Sequence, residues 1–452
     1  MAWVKVKTRV AAGGIALLAI GVATLIKLSS TDPWGQGRLR LPVGSRTPAI
    51  SLGERHGLIL ASDGSLWSWG SDFLGWPVLG LANLETNSPG LKRVGSFGKP
   101  ETMSTSLRRI GSETNWVSIS AGSSHNLAVK SDGTLWTWGQ SVTGPSGRPV
   151  PINAPVPAAP GNDWRQAAAG GIHSVALKKD GTLWAWGNNW AGSLGVGSNK
   201  GSSTPLQIGS GTNWTKVWAS TLETVAMQSD GSLWYWGDNP NPAVAQGAGQ
   251  IFVPMRISPD TNWVDVGFGV NTVFAIKSDG TLWAWGRNAE AYTGTSDLAQ
   301  DATPARVGTN SDWRSISACA GWWCQGLIKK DGSLWMMDAS DSKPNGPRTP
   351  YKPARFRRVE LQKDYVAYAA GAVHAAPAGV HGPIGVLLTR DGEVWTWGMV
   401  LGDPPTIKGR AESLAAKLAN GLHFKFRPGD PDPLFRNEPW QLRNVQPDAP
   451  AK

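Results

Sequence analysis

An eight-residue phrase, Asp180-Gly181-Thr182-Leu183-Trp184-Ala185-Trp186-Gly187, recurs seven times along this chain and leaves few folds open to it. The copies begin at Asp63, Asp132, Asp180, Asp230, Asp279, Asp331 and Asp391, reading DGSLWSWG, DGTLWTWG, DGTLWAWG, DGSLWYWG, DGTLWAWG, DGSLWMMD and DGEVWTWG. Successive starts are 69, 48, 50, 49, 52 and 60 residues apart. Self-similarity at such a period marks a repeat architecture, in which each unit buries its apolar faces against its neighbours. Length alone would divide 452 residues into two or three domains, but the repeats unite them into one ring.

Asp-Gly is a hairpin-turn pair, because Gly takes positive φ without a Cβ clash and Asp tolerates it while bonding its own backbone. A strand follows, in which Trp184 and Trp186 point to one face and Leu183 and Ala185 to the other. The residue between the two Trp positions is mostly small, so both faces are expected to be buried. Thirteen of the 26 Trp belong to this phrase, and they are read as packing between sheets rather than as platforms for ligands. Burying one such side chain contributes roughly 1.5–3 kcal/mol before ordering costs.

Upstream lies a second constant unit, Trp116-Val-Ser-Ile-Ser-Ala-Gly122-Ser-Ser-His125-Asn-Leu-Ala-Val-Lys-Ser-Asp132, which fits two strands and a tight bend. Its first strand recurs from Trp164, Trp214, Trp263, Trp313 and Tyr365, with Gly170, Ser220, Gly269, Cys319 and Gly371 six positions on. In the first repeat Thr47 and Gly53 take those slots. Three residues further stand His56, His125, His173, Glu223, Thr272, Trp322 and His374. A Pro-led strand follows, as in Pro205-Leu-Gln-Ile208, Pro254-Met-Arg-Ile257 and Pro304-Ala-Arg-Val307. Each unit thus supplies four short strands, the content of one propeller blade.

The whole pattern, W-x-x-[IV]-x-A-G-x-x-H-x-x-A-[LV]-x-x-D-G-x-L-W-x-W-G with Asn188-Asn-Trp-Ala-Gly192-Ser-Leu-Gly195-Val-Gly197 after the third copy, resembles the regulator of chromosome condensation repeat. The resemblance spans Thr47 to Val445 and implies an all-β fold, a seven-bladed β-propeller of four-stranded blades. Repeat six departs from it, with Met337 and Asp338 in place of Trp and Gly.

The N-terminus has another character. Lys5, Lys7 and Arg9 precede an apolar run from Val10 to Ile26, about 26 Å long as a helix against a hydrocarbon core of about 30 Å. With Lys27 and Leu28 extending it, residues 10–28 are read as one N-terminal transmembrane helix, an uncleaved signal-anchor. Residues 1–9 are then cytoplasmic, and the basic flank places the propeller outside the cytoplasm, in the periplasm if the source is Gram-negative. A signal peptide that is cleaved, leaving a secreted propeller, is the alternative. Residues 29–38 form a linker, 39–446 the propeller and 447–452 a tail. Leu39-Arg-Leu-Pro-Val43 and Glu438-Pro-Trp440-Gln-Leu-Arg-Asn-Val445 both resemble the Pro-led strand, and one of them is expected to close the ring. Insertions interrupt the rhythm at about 95–107, read as a loop, and at 399–437, where Ala411 to Gly421 reads as a short helix. Blade seven carries a further segment, Ala375 to Pro383.

The chemistry-bearing residues point to binding rather than catalysis. The four His of the repeated slot are expected to be satisfied by neighbouring groups, since one metal ion needs donors converging at about 2 Å. Glu223, in the same slot, has no paired carboxylate visible in the sequence. No G-x-S-x-G, H-E-x-x-H or phosphate-loop motif occurs, and no catalytic residue, metal or cofactor is assigned. Trp76, Trp190, Trp218, Trp322 and Trp323 fall outside the repeat frame and, with Glu223, are the candidate binding residues. Arg355, Arg357 and Arg358 head a basic cluster in a chain of net charge +10; export past a membrane points it to anionic lipid, acidic glycan or an acidic partner, and nucleic acid is not expected. Cys319 and Cys324, the only cysteines, are expected to pair across the bend of repeat six in an oxidising compartment, two free thiols being the other reading.

These observations give a membrane-anchored, extracytoplasmic propeller that serves as a protein interaction scaffold for an unidentified protein partner. The resemblance implies two alternatives. The eukaryotic namesake is a guanine-nucleotide exchange factor for a small GTPase, and a secreted bacterial relative uses a similar ring to inhibit β-lactamase. A glycan-binding propeller using the off-frame Trp is a third class. Fold alone does not choose among them.

Overall fold

The computed structural model describes residues 40–72, 76–81, 91–96, 99–140, 149–238, 249–269, 272–286, 289–293, 303–317, 324–338, 355–359, 365–375, 380–398 and 436–441. Their strands form seven antiparallel sheets, one per repeat, numbered here as blades one to seven in chain order. Blade three shows the pattern: Trp164–Ala169 pairs with His173–Lys178, that strand with Leu183–Gly187, and that with the outer strand Ser202–Gln207. The chain runs outward from the innermost strand of each blade and then steps to the next. Anchor residues 10–28, the 411–421 segment and the tail lie outside the described residues. Among the described residues no helix is long and apolar enough to cross a membrane.

Both faces of the repeated strand are buried. Leu66, Leu135, Leu183, Leu233, Leu282 and Leu334 are sealed on one side, and the second Trp of each complete phrase described, from Trp69 to Trp285, on the other. The turn that starts the strand is welded by a relay. Asp180 Oδ1 accepts the Thr182 N–H (2.9 Å) and hydroxyl (2.7 Å), and Thr182 Oγ1 in turn accepts the Trp184 indole N–H (2.9 Å). The same three bonds recur at Asp63, Asp132, Asp230, Asp279 and Asp331. These bonds hold the Asp180 carboxyl below the usual carboxylate range, first through the Thr182 N–H and then its hydroxyl. The relay fixes the first Trp edge-on to the Trp that begins its blade, as in Trp116–Trp136 at 5.9 Å and 81°. In blades two, three, five and six a Lys lies over this pair and binds an acid from the preceding turn; Lys130 Nζ stands 3.5 Å from the Trp136 centroid and 2.7 Å from Glu113.

Blades join through backbone and side chain alike. The turn Gly of blades one, two, three and five accepts the N–H of the Trp that opens the next blade, as Gly133 does from Trp164 at 3.0 Å. Indole N–H groups also reach backward: Trp138 to Val78 O and Trp236 to Ser193 O, each at 2.9 Å. Ring closure uses both termini. Arg436–Gln441 is the outer strand of blade seven, while Leu41 N donates to Gly392 O at 2.8 Å in the place a Trp takes elsewhere. Repeat seven carries Glu393 where the other six carry Ser or Thr. Its Oε2 accepts the Trp395 indole N–H (3.2 Å), and its Oε1 takes Arg40 at 3.4 Å. Leu41, Leu52, Ile59, Ala369 and Val386 close the seam in one cluster. The odd residue of the seventh phrase is thus the receptor for the N-terminal segment.

Two expectations change in detail. Residues 95–107 are not a free loop: Lys99–Arg109 is the outer strand of blade one and Leu91–Ser96 pairs with it, giving that blade a fifth strand. The extra segment of blade seven lengthens a hairpin, with Tyr365–Ala375 in register with Val380–Thr389. In both places the alternating backbone partners outlast the repeat, so added residues propagate pairing.

Because Glu393 is fully buried while Arg40 is half exposed, Arg40→Ala is expected to cost about 1–3 kcal/mol by leaving a buried carboxylate short of its cation. Adding Glu393→Thr, which restores the relay of the other six blades, is expected to recover most of that loss. Urea unfolding of single and double variants checks it, and equal losses in both would contradict the latch.

Candidate functional site

The ring has two unlike faces. At the turn face, the Asp-Gly hairpins are four residues long in blades two to seven, and blades one to six share one relay while blade seven uses Glu393. At the opposite face, the loop face, the connections from third to outer strand run from 10 residues (141–150) to 37 (399–435). The bends after the innermost strands also lie there, at Gly53–Arg55, Gly122–Ser124, Gly170–Ile172 and Ser220–Leu222. Variation is therefore confined to one side of a constant frame, which is where binding residues usually sit.

A polar cavity of about 490 Å³ runs among the innermost strands. Ser51, Ser120, Ala169, Ala219, Phe268, Ser317 and Tyr368, one from each blade, line its wall, and Glu54, Glu223 and Asp238 its loop-face end. Small side chains at the wall follow from packing, since innermost strands bond across blades. Ser120 Oγ accepts Ala169 N–H at 2.9 Å, Gln166 binds the Val217 backbone, and Asp265 Oδ2 accepts Ile316 N–H at 2.8 Å. Burial pushes the Asp265 carboxyl up to about 6, against the pull of its bonds to Ile316 and Val266.

The repeated His slot forms a ladder that the sequence reading places only loosely, as satisfied turn residues. His56 Nε2 donates to Asn126 Oδ1 at 2.6 Å, whose amide N–H₂ is committed to Val78 O. His125 Nε2 meets Ser174 Oγ at 2.9 Å, and His173 Nε2 donates to Thr224 Oγ1 at 3.0 Å. Each rung binds a blade to the next through the residue following that blade's own His slot. The imidazole lies over the small residue of the preceding bend: a Cβ on Gly170 would stand 2.3 Å from His173 Cε1. Burial without an ion partner pulls His56 and His125 down to about 4 and His173 to about 3, so all three are neutral.

The ladder stops at Glu223, because blade five offers Val273 where the earlier blades offer Asn126, Ser174 and Thr224. Glu223 turns back to its own bend instead, accepting the Ser220 hydroxyl and the Leu222 N–H. Ser220 replaces Gly there, so both departures from the repeat serve one carboxyl facing the cavity. Desolvation, with the neighbouring Asp238 charge adding to it, raises the Glu223 carboxyl. Glu54, on the blade one bend, is raised by the same cause.

The other candidates separate. Trp190 lies on the loop face and is 53% exposed. Trp76, in the connection of blade one, is half-buried. Trp218 packs against the core shared by blades three to five, with Lys216 Nζ 6.0 Å from its ring. Trp322, Trp323 and Cys319 lie outside the described residues, as do the side chains of Cys324, Arg355 and Arg357. Arg358 pairs with Trp335 at the position of Arg109, Arg256 and Arg306 in other blades, beside the Asp331 turn. It is a residue of the repeat frame more than a member of a separate patch. Among the described residues no three His, Cys, Asp or Glu side chains are placed to hold a metal ion.

Comparison with known proteins agrees with this architecture. The family model described as the regulator of chromosome condensation (RCC1) repeat matches residues 49–75, 116–144 and 164–190. Human WBSCR16 is similar in structure at 18% identity and TM-score 0.55, covering 78% of this chain and 89% of that one. Yeast Prp20p, from Saccharomyces cerevisiae and described with its binding properties to Gsp1p and histones, is similar at 17% identity and TM-score 0.54, covering 82% and 85%. The yeast RCC1 chain bound to Kap60 gives the same identity and score, covering 82% of each. No curated protein matches the chain in sequence.

Two titrations follow with opposite signs. For the three ladder His, the folded pKa lies below the unfolded 6.5, so acid protonates the unfolded chain first and stability falls as pH drops from 6.5 toward 4. For Glu223 the folded pKa lies above 4.5, so its contribution is lost as pH rises through the folded value. Glu223→Gln is expected to raise the urea midpoint at pH 7 and to leave it little changed at pH 4; a lowered midpoint at pH 7 would contradict the assignment.

Proposed function

We propose that this seven-bladed propeller, three of whose repeats match the regulator of chromosome condensation repeat, is a membrane-anchored, non-catalytic interaction scaffold that binds a protein partner outside the cytoplasm through its loop face. The single observation that carries the choice of face is the confinement of variation. The turn face does the same internal work in every blade, whereas the loop face gathers connections of unequal length, exposed Trp190 and the carboxyls of Glu54 and Glu223. An exposed aromatic side chain and a partly desolvated acidic cavity on the same face suit a partner that inserts a basic or amide-bearing side chain. Repeated use of a propeller for protein binding in the neighbours supports the reading: Prp20p is described as binding Gsp1p and histones, and yeast RCC1 is seen bound to Kap60.

Extracytoplasmic placement rests on the basic flank and apolar run of residues 1–28. A C-terminal tag tests it in intact cells, with protease accessibility reporting topology and crosslinking followed by membrane fractionation reporting the partner. An accessible tag and one dominant envelope protein are expected. Trp190→Ala is expected to reduce that partner's recovery about tenfold without moving the unfolding midpoint, in line with loss of an aromatic anchor. A protected tag with a GTPase recovered would replace this reading by the exchange-factor one.

A further inference from the structure

The N-terminal segment joins the ring at the turn face. Arg40 is held at the turn face, paired with Asp391 at 3.3 Å and with the buried Glu393 at 3.4 Å. Leu41 bonds the Gly392 carbonyl, and Arg46 N donates to Ser62 O, so residues 40–46 cross from the turn of blade seven to that of blade one. Twelve peptide steps separate Leu28, the last residue of the proposed anchor, from Arg40, a reach of at most about 40 Å. Strands of six residues make the ring about 20 Å thick. Turning the loop face to the bilayer would need the tether to run back across that thickness, about half of its reach, before it met the membrane. With the turn face toward the bilayer the same tether is ample.

The surface beside the exit agrees. Val43 is 60% exposed, and Val117, at the turn-face end of blade two's innermost strand, is 42% exposed. Arg165, Lys179, Arg314 and Lys330 stand exposed on the same face. Lys179 and Lys330 donate to the carbonyl oxygens of Asn162 and Asp279, bonds that orient the ammonium groups without cancelling their charge. Asp132, Asp180 and Asp331 each commit one oxygen, Oδ1, to the turn relay and stay ionised, so the cations share this face with carboxylates. Apolar side chains beside cations suit the headgroup zone of a bilayer containing anionic lipid.

We propose that the turn face lies against the membrane that carries the anchor, with the loop face and cavity mouth turned away from it to receive the partner. The inference rests on the anchored reading and adds the orientation to it. It is tested on the full-length chain by lysine acylation and mass spectrometry, comparing detergent micelles with vesicles of phosphatidylethanolamine and phosphatidylglycerol, after flotation. Lys179 and Lys330 are expected to be acylated several-fold more slowly on vesicles, and exposed Lys200 of the loop face at an unchanged rate. Val43→Cys, read with an impermeant maleimide in a Cys319→Ser, Cys324→Ser background of unchanged unfolding midpoint, is expected to follow Lys179. Failure of the chain to float with vesicles would overturn the anchored reading itself. Flotation with Lys200 protected, or with all three lysines equally accessible, would overturn the orientation and leave the anchor standing.

Discussion

The hydrogen bond from the first Trp of each phrase to the side chain two residues before it, in six of the seven a Ser or Thr hydroxyl held by the turn Asp, is the constraint on which the ring depends. The indole N–H of this half-buried Trp at the blade seam finds its acceptor in the relay hydroxyl. Once that Trp is fixed, it sets the edge-on partner that begins its blade, the Lys that covers both, and the turn carbonyl that receives the next blade. Six copies do this with a hydroxyl. The seventh does it with Glu393, whose second oxygen is left to bind Arg40, so the same chemistry that builds each blade also marks where the ring begins and ends.

A second periodic device, the His ladder, couples blades one to four and then ceases. Its end is as informative as its rungs. Where blade five presents Val273 in place of a hydroxyl or amide, the slot changes to Glu223, the bend beneath it from Gly to Ser220, and the freed carboxyl faces the cavity. Repeats hold a fold together by doing the same thing seven times; they acquire function where one copy stops doing so. On this chain such departures gather on the loop face and at the closing seam.

Much of this was legible in the sequence because the signals were local. Asp-Gly turns, alternating Trp and Leu, and a Pro-led fourth strand each act over fewer than ten residues, so blade count and strand order follow from spacing. The partner of each His was not legible, since Asn126, Ser174 and Thr224 lie about fifty residues away and nothing in one repeat announces its contact with the next. Trp218 packs against the core shared by blades three to five, and Arg358 shares a frame slot with Arg109, Arg256 and Arg306; neither neighbourhood is visible in the residue type alone. The 95–107 stretch read as a loop because its composition is polar, yet edge strands of a propeller are polar on their outer side, and composition alone does not separate the two. The signal that would have exposed the Glu393 latch was present throughout: one acidic residue in a column otherwise of Ser and Thr.

The central claim is that the loop face receives the partner while the turn face does internal work. A photo-reactive phenylalanine analogue placed at Trp190 in one strain and at Arg165 in another, both exposed positions, tests it in living cells. One discrete crosslinked protein from position 190 and none from position 165 is the expected result. The same crosslinked protein from position 165, with position 190 silent, would contradict it.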